Sequence, residues 1–382
     1  MTRARLFDVH RALRLTTAAA FLCSTTSALF LLLPVYLQQA GNSHAQIGLV
    51  AGLLRVSSLI SRPLVGRLLD RFGRRPVLTW GTALGIAAIL SLYLFPHFSL
   101  PFLGMRALQG VAMACVDSGL STVVADLSPP AARAQFFALY TVFITLPGGI
   151  MPGVGEIVAR QAGFFPLFGL AALTLAVGLA LVRRLPETAR HHAEAGGTFS
   201  GILVEALPAM LGAMLVGLVF GVLSVFVPVA EIAAAPGRIG MFFFAYFAGL
   251  ISIRLAGGLG LTGLSRPGIL LPAYAMMVIG LVALPLGETA LLLVAVGLSC
   301  GAGHGIAIPI MYSLLLSAVS RDRRGMGVSL LAAAFDLGVV FGTMGLGVLA
   351  EWLGTRGIFF VAAGIVSALA VTAHVWERRL IA

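Results

Sequence analysis

Five ionisable side chains lie inside long apolar stretches of the sequence: Arg55, Arg106, Asp117, His304 and Asp336. An ionisable group inside a bilayer is costly unless it is paired or faces water, so each is a candidate for moving a proton or another ion. Arg106 and Asp117 are eleven residues apart, which on a helix is three turns plus about 20°. They therefore share one face, roughly 16 Å apart along the axis, and burial of Asp117 would favour its protonated form.

The elements that must position these groups are membrane-spanning helices. Apolar residues make up 59% of the chain and charged residues only 10%, whereas a soluble domain has about 25% charged residues. A spanning helix needs about 20 apolar residues, and the chain has room for about twelve with no sizeable soluble domain. Hydropathy places them at 15–40, 45–69, 76–96, 99–125, 133–159, 164–185, 201–228, 238–261, 267–287, 289–317, 325–352 and 357–377.

The net charge of +11 would suggest a nucleic-acid partner in a soluble protein. Here the basic residues, all of them arginine, lie mainly at the ends of predicted spans. With the N-terminus inside, 18 arginines fall in cytoplasmic segments and 3 in outer loops, as the positive-inside rule requires. We expect no nucleic-acid partner, a multi-pass protein of the bacterial inner membrane, and both termini in the cytoplasm. The three cysteines are expected to be small buried hydrophobic residues without a disulfide.

The two parts of the chain repeat. Ile47-Gly48 recurs as Ile239-Gly240, Arg62 as Arg254 and Gly66 as Gly258, each 192 residues later. The longest polar stretch lies at the midpoint, and we interpret it as a cytoplasmic linker over 186–200. The predicted domains are an N-terminal six-helix half over 1–185 and a C-terminal six-helix half over 201–382.

The stretch GRLLDRFGRRP, Gly66 to Pro76, resembles the loop signature of the major facilitator superfamily. The segment RALQG, with Arg106, Gln109 and Gly110, is similar to that family's second motif. Asp126, Arg133 and LPET at Leu185 to Thr188 also match its usual pattern, although Thr262 and Ser265 replace the motif residues in the second half. The resemblance implies an all-α membrane protein with the major facilitator fold, twelve transmembrane helices in two pseudo-symmetric six-helix halves.

The resemblance also implies a cytoplasmic latch between the halves that alternately forms and breaks. Its members are Gly66, Asp70, Arg71, Gly73, Arg74, Arg75, Asp126 and Arg133. Gly66 is expected to allow close helix packing and Gly73 a tight turn, while Asp70 is expected to meet a helix N-terminus or an arginine. Topology alone would explain the arginines, but not Asp70 together with both glycines.

Span five carries LPGGIMPGVGE, which imperfectly resembles the family's antiporter motif. Gly149, Pro152, Gly153 and Gly155 carry that likeness, whereas Met151 and Glu156 stand at two glycine positions. The motif favours antiport, and the departures weaken that inference. Glu156 and Arg160 are better explained as an ordinary i,i+4 ion pair.

The resemblance assigns proton coupling to Arg106 and places spans two and eleven opposite each other. Arg55 and Asp336 both lie near mid-depth of those spans, so a bridge between them is expected to act as a gate whose aspartate titrates. Two alternatives remain open: His304 pairs with Asp336 or is a hydrogen-bonded core histidine, and Asp117 carries a proton or forms a structural pair with Arg55.

The sequence therefore indicates a transporter and not an enzyme, working by alternating access and most simply as a proton-coupled exporter of a small solute. Proton-coupled uptake of a metabolite or of copper is the alternative, with Met210 and Met214 as weak metal ligands, and a membrane sensor is a remote one. The expected energy source is the proton gradient, with no bound cofactor. The expected partners are a small-molecule substrate and the lipid bilayer, and the protein is expected to be a monomer.

Overall fold

A computed structural model of the protein describes residues 3–128, 133–188, 199–230, 235–258, 268–287, 289–319 and 324–381. Across these residues the regular secondary structure is helical throughout. The helices are α1 (Arg3–Leu29), α2 (Leu33–Gln39), α3 (His44–Phe72), α4 (Arg74–Leu90), α5 (Leu100–Leu127), α6 (Arg133–Ala162), α7 (Phe164–Val182), α8 (Phe199–Val229), α9 (Arg238–Gly258), α10 (Leu270–Ala283), α11 (Ala290–Ala318), α12 (Arg324–Val340) and α13 (Leu346–Ile381).

Short irregular turns interrupt several spans. A 3₁₀ turn at Phe30–Leu32 joins α1 to α2, and a π-helical turn at Phe341–Gly345 joins α12 to α13. Gly354 has φ 67° and ψ 175°, which breaks the helical path inside α13. A π-helical turn widens the helix locally and is frequent at functional sites.

Ten helical segments of the described chain are long and apolar enough to cross a membrane. One of them, Met326–Val371, has 46 residues and covers most of predicted spans eleven and twelve, which lie on the two sides of Gly354. A shorter apolar helix, Leu270–Leu286, coincides with predicted span nine. The expectation of an all-α, multi-pass membrane protein is confirmed, and the exact count of twelve spans stays a prediction.

The chain forms two compact units. The first consists of Met1–Leu33 and Val56–Ala193, and the second of Pro34–Arg55 and Glu194–Ala382. In the first unit α1 packs on α6 and α7, and α4 packs on α5. In the second unit α8 packs on α12, and α11 packs on α9 and α10. The division therefore passes through α3, which a division at the linker alone does not anticipate.

Glycines allow the closest of these helix pairs in the second unit. A Cβ atom on Gly301 of α11 would lie 1.8 Å from the carbonyl oxygen of Tyr246 on α9. A Cβ atom on Gly217 of α8 would lie 2.0 Å from the carbonyl oxygen of Phe335 on α12. Only small residues let helix backbones approach this closely, so these glycines fix where α9 and α12 present their polar side chains.

Candidate functional site

An ion pair joins α3 to α12 within the second unit. Arg55 Nη1 lies 3.6 Å from Asp336 Oδ1. The Asp336 side chain is 3% exposed, whereas that of Arg55 is 27% exposed. The expected contact between these two residues is therefore present, and its part in proton coupling stays a prediction.

Close backbone packing holds the two partners of this pair in register. A Cβ atom on Gly48 of α3 would lie 2.3 Å from the carbonyl oxygen of Thr343 in the π-helical turn. One turn later, a Cβ atom on Gly52 would lie 2.1 Å from the side chain of Met344. Because α3 rests directly on this turn, Arg55 reaches α12 beside Asp336.

His304 of α11 is buried in an aromatic cluster. Its Nδ1 is 2.6 Å from the hydroxyl of Tyr246 on α9, and the rings of Phe220 and Phe335 lie against it. Of the two alternatives for His304, the core histidine bonded to a neighbouring helix fits this contact. Phe335 precedes Asp336 in α12, so the cluster packs beside the ion pair.

Arg106 of α5 is buried in the first unit, with 5% of its surface exposed. Its Nη1 donates a hydrogen bond to the side-chain oxygen of Gln109. The guanidinium carbon lies 5.6 Å from the centre of the Phe30 ring, within the range of a cation–π contact. Phe30 begins the 3₁₀ turn after α1, so Arg106 is held at the point where the first span changes path.

Asp117 lies on α5 in a small cleft of the first unit, which has room of about 50 Å³ for water-sized molecules. Gln109 lines the same cleft and also bonds Arg106, which connects the cleft to the arginine along one helix face. Thr26 and Ser27 supply hydroxyl groups from α1. The other lining residues are Cys23, Gly81, Gly85, Ile89, Ala112, Met113, Val116 and Leu175.

Arg74, at the start of α4, is the centre of a second polar cluster in the first unit. The side chain is 3% exposed and lies 3.2 Å from Asp126 and 3.4 Å from Asp70. It also donates a 2.9 Å hydrogen bond to the carbonyl of Leu69. This cluster, called the Arg74 cluster below, comprises Asp70, Gly73, Arg74, Arg75, Asp126, Glu187 and Thr188.

Glu187 is the member of this cluster to which sequence reasoning assigned no role. Its carboxylate accepts hydrogen bonds from the backbone nitrogens of Arg74 at 2.7 Å and Arg75 at 3.1 Å, so it caps the N-terminus of α4. The Thr188 hydroxyl donates to Asp126 at 2.9 Å. The LPET resemblance marked the segment, but the capping depends on a tertiary contact that spacing does not reveal.

The predictions for the two glycines of the loop motif fare differently in the structure. Gly73 has φ 92°, a backbone conformation that favours glycine, so the predicted tight turn is confirmed. The prediction that Gly66 allows close helix packing is wrong for the part of the chain that the structure describes, where a Cβ atom on Gly66 would meet no atom within 4 Å. Arg71 lies over the ring of Phe72 at 5.2 Å. The side chain of Arg133 is outside the described residues.

The span-five motif lies in α6, which continues as one helix through Pro147 and Pro152. A Cβ atom on Gly155 would lie 2.5 Å from the side chain of Leu32, so this glycine accommodates the turn between α1 and α2. Glu156 and Arg160 form the predicted i,i+4 pair, with Oε1 and Nε 3.3 Å apart. The roles of Gly149 and Gly153 in antiport stay predictions.

Metal ligands are sparse in the described part of the chain, which has no group of three or more His, Cys, Asp or Glu side chains suited to a metal ion. Met210 and Met214 lie on α8, and their binding of copper stays a prediction. Cys23, Cys115 and Cys300 are free and buried, as expected.

The sequence profile described as Major Facilitator Superfamily matches residues 15–259 and 209–379. The chain belongs to this superfamily. It is therefore a transporter and not an enzyme, and the superfamily named from the loop motif is confirmed.

Among curated proteins, this superfamily member is 22% identical over 374 residues to the staphylopine export protein of Staphylococcus aureus (strain Mu50 / ATCC 700699), with 93% of each chain covered. It is 27% identical over 141 residues to the quinolone resistance protein NorA of the same species, covering 37% of this chain and 36% of NorA. Among solved structures it resembles the human organic anion transporter MFSD10, with TM-score 0.71, 18% identity and coverage of 96% and 99%. It also resembles the nucleoside transporter NupG, with TM-score 0.76, 14% identity and coverage of 95% and 98%. These two likenesses establish the fold.

Proposed function

We propose that this transporter exports a small organic solute in exchange for protons by alternating access. One relative that matches it over nearly its whole length is named for export of staphylopine, and another that matches part of it is named for quinolone resistance. Both names favour export over uptake. The two names supply the first compounds to test.

The observation that carries the proton-coupling part is the placement of two carboxylates in different surroundings. Asp117 is exposed to a cleft that hydroxyl and amide groups also line. Asp336 is buried and paired with Arg55. A group that exchanges protons needs a path to water, whereas a gate needs a contact that forms and breaks. We therefore assign proton uptake to Asp117 and gating to the Arg55–Asp336 pair.

Arg106 and Gln109 then transmit the effect of proton uptake within the first unit. Protonation of Asp117 removes a negative charge from the face of α5 that also carries Gln109 and Arg106. Loss of that charge changes the electrostatic balance at Arg106, which touches the turn that begins at Phe30. Occupancy of Asp117 would thus bias the path of the first span, and in our proposal this bias drives the change of state.

The Arg74 cluster is assigned the role of organising the first unit's side of the cytoplasmic latch, which is formed in one state of the cycle and broken in the other. The distribution of arginines supports a location in the bacterial inner membrane with both termini in the cytoplasm. The proton gradient is the energy source, no bound cofactor takes part, and the protein works as a monomer in the bilayer with a small-molecule substrate.

The test uses purified protein in liposomes with an imposed pH gradient. Staphylopine, a quinolone and a panel of organic ions are offered outside. Exchange for protons predicts that the solute accumulates when the vesicle interior is acidic, whereas symport predicts accumulation when the outside is acidic. Asp117→Asn should abolish gradient-driven accumulation but retain exchange of solute for solute.

The control is Glu156→Gln, which neutralises another carboxylate of the first unit but alters a buried pair to which the proposal gives no role in coupling. It should retain gradient-driven accumulation. Accumulation that is independent of the pH gradient, or unchanged in both Asp117→Asn and Asp336→Asn, contradicts the proposal.

A further inference from the structure

Residues 34–55 of the second unit are continuous in sequence with the first unit, because α3 continues as one helix from His44 to Phe72. Three kinds of contact fasten these residues to the rest of the second unit: hydrogen bonds, glycine packing and an ion pair. The Gln38 side chain donates to the carbonyl of Val229 at 3.0 Å, and the Ala45 backbone nitrogen donates to Glu351 Oε1 at 2.6 Å. Gly48 and Gly52 pack on the π-helical turn, and Arg55 pairs with Asp336. We call these contacts the α3 seam.

Glu351 has a special place in this seam. It lies on α13, and its carboxylate meets the first turn of a 29-residue helix. Ser43 and His44 lie beside the same carboxylate. A negative charge at a helix N-terminus is stabilising because it compensates the partial positive charge of the unpaired backbone N–H groups. The side chain is exposed, so water can take its place when the contact opens.

The glycine contacts suit a surface that separates. Gly48 approaches Thr343 through backbone atoms, and Gly347 approaches Gly48 in return, with 3.2 Å between the Gly48 Cα and a Cβ built on Gly347. The closest neighbours of Gly48 are backbone atoms of Thr343 and Gly347, whereas Gly52 lies against the side chain of Met344. Parting the helices at Gly48 therefore separates backbone from backbone, and parting them at Gly52 releases a flexible methionine side chain.

We propose that the α3 seam is a releasable joint of the transport cycle and that Glu351 is the positioning residue that holds its end closed. In one state Glu351 caps α3 and residues 34–55 stay on the second unit. In the other state the cap is lost, the glycine surfaces part, and the Arg55–Asp336 pair opens with them. This inference rests on the proposed alternating access and adds Glu351, which no sequence motif marks.

The experiment measures the joint directly and needs no substrate. Spin labels are attached at Gln39→Cys and Trp352→Cys, both exposed positions of the second unit, after the three native cysteines are replaced by serine. Pulsed electron–electron double resonance in liposomes then gives the distribution of distances between the two labels. Glu351→Gln should lower the ratio of short to long distances about five-fold, because the charged cap at the helix end is lost.

Gly48→Ala should lower that ratio about ten-fold or more, because the new methyl group has no room against Thr343. The control is Gly345→Ala, in the same π-helical turn, where a Cβ atom meets none of the described residues within 4 Å. It should leave the distribution unchanged. Thermal melting in detergent separates a joint from a merely structural cap, which would lower the melting temperature without changing the distances.

The inference is overturned if Glu351→Gln and Gly48→Ala both melt near the parent temperature and leave the distance distribution unchanged. It is equally overturned if they change melting alone. Failure of the proposed function has a different signature, since then no solute accumulates in any variant while the distance distributions still respond.

Discussion

The pair formed by Arg55 and Asp336 gives the most quantitative prediction. Opposite unit charges 3.6 Å apart attract each other by about 4–5 kcal/mol at an effective dielectric constant near 20. Desolvation of the buried Asp336 opposes this attraction, and solvent around the partly exposed Arg55 screens it. We expect a net coupling free energy of about 1–2 kcal/mol between the two side chains.

A double-mutant cycle measures this coupling. Arg55→Gln, Asp336→Asn and the double variant are unfolded in mixed micelles by titration with sodium dodecyl sulfate, and the free energies of unfolding are compared. The two single losses of stability should together exceed the loss of the double variant, because each single variant leaves one charge without its counter-ion. The exchanged variant Arg55→Asp with Asp336→Arg should recover part of the loss.

Additive effects would refute the reasoning. If the double variant loses the sum of the two single losses within about 0.3–0.5 kcal/mol, the two charges do not interact and the ion pair cannot serve as a gate. The cycle at Glu156 and Arg160, whose 3.3 Å pair includes an arginine that is 43% exposed, is the comparison and should give no more than about 0.5 kcal/mol.

Three further predictions concern stability in detergent. Glu187→Ala should destabilise the protein by about 1–2 kcal/mol, because the N-terminus of α4 loses its two hydrogen bonds to the carboxylate. The stability of Glu187→Gln should lie between those of the parent protein and Glu187→Ala. An unchanged melting curve would contradict the capping. Gly73→Ala should lower the free energy of unfolding more than Gly163→Ala. Both glycines have positive φ, but only at Gly73 would the new methyl group lie 2.7 Å from a carboxylate, that of Glu187. Equal losses would show that backbone strain alone matters. Tyr246→Phe should cost about 1–2 kcal/mol by leaving His304 without its hydroxyl partner, and a neutral result in unfolding titrations would show that water replaces the tyrosine.

Much of the fold was predictable because the bilayer restricts the possible structures. A chain with so few charges must bury its backbone in helices, and the loop motif from Gly66 to Pro76 identified the superfamily. The Arg55–Asp336 contact was predictable because both residues are costly in a membrane and lie at similar depth, and because the resemblance to the superfamily places spans two and eleven opposite each other. The turn at Gly73 followed from glycine's tolerance of positive φ.

The remaining features depend on tertiary contacts that leave no local pattern. Glu187 and Glu351 look like ordinary acidic residues at the ends of spans, and only the structure shows that they meet the first turns of α4 and α3. The loose surroundings of Gly66 could not be foreseen either, because the motif predicts a glycine but not its neighbours. The assignment of residues 34–55 to the second unit arises from the glycine packing of α3 on the π-helical turn.

The central claim is that solute movement is coupled to protons in exchange. The direct measurement is accumulation of staphylopine or a quinolone in acid-loaded liposomes, before and after a protonophore discharges the gradient, for the parent protein and Asp117→Asn. We predict accumulation by the parent that collapses with the gradient, and none by Asp117→Asn. Equal accumulation by both proteins, or accumulation that survives discharge of the gradient, would contradict the account.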